Sequence, residues 1–167
     1  MSASFIYKSP EPIRRERNWF LLLISAFLIS MLAAYLAGNY VTERFLLLSP
    51  VTDAFGIALI FSGLSITIWA RITLGRFWSG SVAVIEGQPV VKEGPYSIIR
   101  HPIYTGVIMM LWGSFLLEPF GFVLLNAVFG TILLACKARF EERLLERCLG
   151  DKYSNYKKEV ECSFIPG

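Results

Sequence analysis

Gly94-Pro95-Tyr96-Ser97-Ile98-Ile99-Arg100-His101-Pro102-Ile103-Tyr104-Thr105-Gly106 is the stretch on which the fold turns. It holds the only histidine of the 167 residues, between Arg100 and Pro102, with Tyr96 and Tyr104 eight positions apart. An apolar run follows at once. A proline biases the residue before it away from helical geometry and is itself well tolerated in a first helical turn. The stretch therefore predicts a polar, turn-rich approach to a helix that begins at Pro102 or Ile103, with Arg100 and His101 held at its mouth.

The rest of the chain says what kind of helix this is. Hydrophobic residues make up 54% and charged residues 17% of the sequence, with a mean hydropathy of +0.54. A soluble domain carries about 25% charged residues, so the composition predicts a membrane protein, of one domain by its length. The net charge of +3 is modest. The basic residues are not interleaved with aromatics on a polar surface, which excludes nucleic acid as a partner. Cys136, Cys148 and Cys162 are odd in number and show no paired-ligand spacing, so neither a disulfide framework nor a metal site is predicted. They read as buried or interfacial thiols. Cys162 stands too far from the last residue for prenylation.

Around the central stretch the pattern is all-α and polytopic, with about four transmembrane helices. Residues 1–18 are polar and carry Lys8, Arg14, Arg15 and Arg17, a cytosolic arm with room for a short interfacial helix. Residues 19–37 are continuously apolar, near the roughly 20 residues that a span needs. A second apolar segment covers residues 51–74. Asp53 suits its N-terminal end, Arg71 can snorkel at the other, and Gly56 and Gly63 suit close helix packing in lipid. Residues 75–100 form the longest polar interval, with Trp78 as an interfacial anchor and β-formers at 82–85. Residues 103–117 are short for a span, and Glu118-Pro119 breaks them before an apolar run at 120–135. The two read as a tight helical hairpin. The second arm runs on into a charged helix in which Phe140, Leu144, Leu145, Cys148 and Leu149 recur at helical spacing, capped at Gly150. Lysine and arginine cluster in the arm, in the 75–100 interval and after residue 136, which predicts both termini on the cytoplasmic side. The long loop, the Arg-His-Pro segment and the charged tail then share one face of the membrane.

The pattern Gly-x-Tyr-x-x-x-Arg-His-Pro-x-Tyr-x-Gly resembles the central signature of the isoprenylcysteine carboxyl methyltransferases and related phospholipid methyltransferases, small integral membrane enzymes that use S-adenosylmethionine. A second stretch, Glu141-Glu142-x-x-Leu145-x-x-x-x-Gly150-x-x-Tyr153-x-x-Tyr156-x-x-x-Val160 ending in Ile165-Pro166, resembles the C-terminal signature of the same enzymes. The likeness covers roughly residues 74–166 and makes residues 75–167 the cofactor-binding catalytic core, behind two N-terminal helices at 19–74. It implies that Gln88, Pro89, Val90, Val91 and Tyr96 line the cofactor, that His101, Pro102, Ile103 and Tyr104 form the cofactor-binding turn, and that Glu141, with Glu142 beside it, holds the cofactor. It places Arg100 as the catalytic residue near the transferred methyl and the acceptor carboxylate, and Lys137 facing substrate. The family often has arginine at the position of Lys137 and histidine at that of Gln88, and both departures bear on the acceptor more than on the cofactor.

The residue types fit that chemistry. A sulfonium is stabilised by aromatic faces and carboxylates, and a cofactor carboxylate needs donors. Taken singly, His101 reads as a satisfied polar residue, and Glu141 and Glu142 as a solvated face paired with Arg139, Arg143 and Arg147. On a helix the two carboxylates point about 100° apart and need not share a partner. The leading expectation is an S-adenosylmethionine-dependent methyltransferase acting on a lipid-like or prenylated amphiphile, foremost a prenylcysteine-type carboxylate, which needs no general base. The alternatives are phospholipid N-methylation, a sterol-reductase-like oxidoreductase using NADPH, and a non-catalytic membrane scaffold.

Overall fold

The computed structural model describes residues 12–16, 25, 28, 29, 32, 49–75, 82–85 and 90–164. Four helices are described along their whole length: α1 (Pro50–Leu74), α2 (Pro102–Leu117), α3 (Gly121–Leu149) and α4 (Asp151–Glu159), with a 3-10 turn at Gly94–Ser97 before α2. Of the apolar segment at 19–37, Ser25, Leu28, Ile29 and Leu32 are described, and all four are helical and exposed. The remainder of that segment lies outside the described residues, as do Trp78, Gln88, Pro89, Ile165 and Pro166.

The chemistry of each boundary is local. Ser49 and Thr52 form a capping box at the start of α1, Pro50 fills its first turn, and Asp53 lies in that turn too. At the other end Arg71 Nη1 donates to the Gly75 carbonyl at 3.0 Å. Pro102 opens α2 as expected, with His101 as its N-cap. Gly150, at φ 56, separates α3 from α4; a positive φ is easy for glycine and costly for other residues.

The pairing of α1 with α2 is antiparallel and rests on glycine. Gly56 faces Gly113 and Gly63 faces Gly106, seven residues apart on each helix. A Cβ built on Gly113 would stand 2.7 Å from the Gly56 carbonyl oxygen, and one on Gly63 would overlap the Gly106 carbonyl. Such close approach lets two backbones gain dispersion contacts where lipid removes any hydrophobic drive between helices. α3 returns along α2, with Trp112 Nε1 donating to Thr131 Oγ1 at 3.2 Å and Leu111 against Gly130.

Two of these helices, α1 and α3, are long and apolar enough to cross a bilayer. Their most apolar windows are little buried, 11% in α1 and 22% in α3, and Val51, Phe55, Phe61 and Ile72 of α1 are all well exposed. Small polar side chains of α1, α2 and α3 are satisfied from within. Ser65, Thr67, Thr73, Ser114, Asn126 and Thr131 each donate to the carbonyl four residues back, the arrangement expected where no water is at hand. α2, at 16 residues, is about 24 Å long at 1.5 Å per residue, less than the roughly 30 Å hydrocarbon layer.

Strands enter where only helices and loops were expected. Pro12–Glu16 (β1) pairs antiparallel with Val82–Ile85 (β2), in a register that sets Glu16 against Val82 and Pro12 against Ile85. The polar arm thus holds an extended segment here, not an interfacial helix. The reason is backbone satisfaction: Pro10 and Pro12, both at the start of the run, remove backbone donors and disfavour a helix there, and the β-branched residues Val82, Val84 and Ile85 offer the arm a ladder. The helical class holds for the bulk of the described chain, with this ribbon as the addition.

Candidate functional site

α2 is short and α3 is long, so the charged half of α3 passes the first turn of α2. There the central stretch meets the acidic pair. Glu141 and Glu142 reach opposite nitrogens of one imidazole. His101 Nε2 lies 3.2 Å from Glu142 Oε1, and Nδ1 lies 4.0 Å from Glu141 Oε2. Two carboxylates about 100° apart on a helix can share a partner after all, because the ring inserts between them.

The two glutamates are unequally employed. Glu142 Oε1 accepts from Arg100 Nε at 2.8 Å and is 3.4 Å from Ser163 Oγ, while its Oε2 is 3.3 Å from Lys157 Nζ. Glu142 is thus wholly enclosed by donors from three segments, and its residue exposure is 9%. Glu141 Oε1 accepts from the Tyr104 hydroxyl at 2.6 Å and lies 3.7 Å from Lys137 Nζ. Its Oε2 faces His101 from beyond hydrogen-bond distance and retains acceptor capacity. Arg139, Arg143 and Arg147, the partners first considered for this pair, are exposed instead.

Aromatic rings line the same place. His101 stacks with Tyr104 at 5.4 Å and with Phe164 at 5.7 Å, and Lys137 Nζ sits 5.1 Å from the centre of the Tyr104 ring. Lys137 is buried, so its charge is held against that face and Glu141 rather than in water. Arg100 spends its fork on Glu142 and on the carbonyls of Val160 and Glu161, each at 2.6 Å from Nη1.

A second layer supports this cluster. Tyr96 is buried in the 3-10 turn, and its carbonyl accepts from the Tyr156 hydroxyl at 2.7 Å. Val90 packs on Tyr153, Tyr156 and Val160. Burial pushes the Tyr156 hydroxyl up to about 12, and burial, with Tyr156 and Glu141 adding to it, raises that of Tyr96. Both remain protonated donors at neutral pH. A hydrogen bond to Glu146 raises Lys157, aided by Glu142, so the cation that closes the far side of Glu142 stays charged. Pro102 is fully buried beneath the site, and Ile103 and Val91 are half-buried.

Of the residues singled out in the sequence, the fold brings Arg100, His101, Tyr104, Lys137, Glu141 and Glu142 into direct contact, with Val90 and Tyr96 in the layer behind. Lys157, Ser163 and Phe164 join them without having been singled out. Lys157 was one of several tail cations with no signal to separate it from the rest. Ser163 and Phe164 lie just before Ile165-Pro166, in a segment with no periodicity to single them out. Among the described residues no group of side chains suited to holding a metal ion occurs.

A family model described as phospholipid methyltransferase matches residues 51–152. The chain belongs to the phospholipid methyltransferase family. It is 30% identical over 122 residues to the uncharacterised protein YpbQ of Bacillus subtilis, covering 72% of this chain and 68% of that one. It is 30% identical over 110 residues to protein-S-isoprenylcysteine O-methyltransferase B of Arabidopsis thaliana, covering 64% of this chain and 55% of the relative. With methanethiol S-methyltransferase of Pseudomonas deceptionensis it shares 37% over 65 residues, 39% of this chain and 24% of the other. The chain thus spans about half or less of the two relatives named for an activity. The family match takes in the glycine-paired helices, the Arg-His-Pro turn and the acidic pair, and stops before the segment that carries Phe164.

Proposed function

We propose that this chain is an S-adenosylmethionine-dependent methyltransferase of the membrane, acting on an amphiphile that reaches the site from lipid, with a prenylcysteine-type carboxylate as acceptor. The observation that carries the reading is the single cluster in which His101 inserts between Glu141 and Glu142, at the end of two lipid-exposed helices. The side chains fit the cofactor. Glu141 Oε2, beyond hydrogen-bond distance of His101, has acceptor capacity for its ammonium or hydroxyls. When bound, the cofactor supplies an electrophilic methyl group. The protein's share is to orient, to exclude water and to hold charge.

Glu142 holds the histidine and its surroundings in place, leaving Glu141 for the cofactor. Gln88, Pro89, Val90, Val91, Pro102 and Ile103 complete its wall in this reading. Lys137 is the cation assigned to the acceptor. A carboxylate arrives already ionised and needs a counter-charge but no base, which a buried lysine supplies. A thiol acceptor is the second reading, favoured by the relatives named methanethiol S-methyltransferase. The topology proposed with it has four spans, both termini on the cytoplasmic side and the site on that same side.

The test is binding followed by transfer. In detergent, S-adenosylhomocysteine is expected to bind saturably, and Glu141→Gln to weaken it. With radiolabelled donor, label is expected in a prenylcysteine before an alkyl thiol or phosphatidylethanolamine. Binding of NADPH instead would select a reductase, and binding of neither nucleotide would leave a scaffold; either sinks the proposal.

A further inference from the structure

We propose that Arg100 is a positioning residue that keeps the strap formed by residues 160–164 closed over His101, and that it does not meet the acceptor. The proposal rests on the methyltransferase reading for the purpose of the closed strap, but the strap is defined by its own contacts. Consecutive backbone N–H groups of Arg100 and His101 donate to the carbonyls of Cys162 and Ser163, at 3.0 and 3.1 Å. The Arg100 side chain doubles that attachment, with Nη1 on the Val160 and Glu161 carbonyls and Nε on Glu142. Thr105 Oγ1 then donates to the Phe164 carbonyl at 2.7 Å, which seats the Phe164 ring against the imidazole.

The strap has no helix or strand of its own. Ordering five residues costs conformational entropy that internal bonds do not offset here, so the clamp to residues 100–105 must hold it. Arginine suits that task. Its planar fork holds a carboxylate and two carbonyls in fixed, spread directions, whereas a lysine ammonium carries its three donors on one atom with no such fork. The Arg100 side chain is 9% exposed, and its three N–H groups at Nε and Nη1 point into the clamp. Closing the strap removes water from His101 and Glu142, both under a tenth exposed, and so strengthens every charge interaction between them. In this scheme Arg100 acts on the cofactor through His101, and Lys137 is left to the acceptor.

Hydrogen exchange on the full chain in detergent, with no ligand added, reads the strap directly. In Arg100→Ala the His101 amide is expected to exchange roughly ten times faster or more, the size expected for losing charge-assisted bonds, along with the 160–164 amides. Arg100→Lys is expected to restore little of that protection. Kinetically, Arg100→Ala should raise the donor KM and leave the acceptor KM unchanged, and adding Phe164→Ala should cost nothing further, because both act through one element. Unchanged exchange at His101, full rescue by lysine, a rise confined to the acceptor KM, or multiplying losses in the double variant would each overturn the proposal. Should Arg100→Ala fail to fold, Arg100→Lys carries the same exchange test. Because exchange is read without ligand, absent cofactor binding would sink the methyltransferase reading alone, and unchanged exchange the strap alone.

Discussion

The helix pair α1–α2 and the junction where α2, α3 and residues 160–164 meet are held by different physics. The pair contains almost no side-chain chemistry. Gly56, Gly63, Gly106 and Gly113 let two backbones touch, and the exposed faces are apolar. The junction is nearly all chemistry, with Glu142 receiving donors from Arg100, His101, Ser163 and Lys157. One region is specified by what is missing from its side chains, the other by which polar groups find one another. Shape tolerates no added atom, whereas a charge network tolerates no lost partner.

Perturbing each in its own way sharpens the contrast, and the largest effect is expected at the junction. Replacing Glu142 by leucine strands the buried Arg100 guanidinium and should cost about 3–5 kcal/mol, seen as a lower unfolding midpoint in detergent together with lost cofactor binding. Gly63→Val comes next. Its side chain meets the Gly106 carbonyl, which cannot swing aside, so the cost should be about 1–3 kcal/mol. Here stability falls but the folded fraction binds S-adenosylhomocysteine normally. Equal loss of affinity in both variants would break the division between frame and site. Tyr104→Phe deletes the 2.6 Å bond to Glu141 and should weaken cofactor binding roughly tenfold, the worth of one bond to a charged group, with little change in unfolding.

Alkaline pH probes the supporting layer. Tyr156 has a hydroxyl raised from 10.0 to about 12 by burial, so the folded state favours its neutral form. Its contribution is complete below pH 10 and is lost as the pH climbs from about 10 through 12, where the unfolded chain ionises first. Tyr156→Phe should flatten that part of the stability profile, and an unchanged profile would count against the burial of that hydroxyl. The smallest effect is expected for Lys92→Ala. Its 2.6 Å pair with Glu159 is 42% and 55% exposed, and an exposed pair contributes about 0.2–1 kcal/mol, barely resolved in a melt.

Much of this was legible from residue order. Pro102 marks the start of α2 because a proline can open a helix but not continue one, and Gly150 marks the end of α3 for the matching reason. Gly56 and Gly63 announced close packing. What they packed against was not legible, since the partner glycines lie some 50 residues on, in a helix with no unusual pattern of its own. The β1–β2 pairing was missed because a short polar arm carries no periodicity, and its ladder partner lies about 70 residues away. The acidic pair was found, but its natural reading was a solvated face with neighbouring arginines. Only the docking of α2 against α3 turned it toward His101.

The resemblance of its motifs to a known family drew attention to Arg100, His101, Tyr104 and the two glutamates, whereas composition and local pattern alone determined that this chain is mostly helical and apolar enough to lie against lipid, and where three of its helices begin or end. These follow from forces acting within a few residues: backbone sterics, burial period and the cost of charge in hydrocarbon. The tertiary structure decided which glutamate is enclosed and which faces His101 from beyond hydrogen-bond distance, that Lys157, Ser163 and Phe164 stand beside Glu142 and His101, and that Arg100 grips the 160–164 strap. Those depend on distances between segments 40 to 60 residues apart, and a distance across the fold is not a property of any local stretch of sequence.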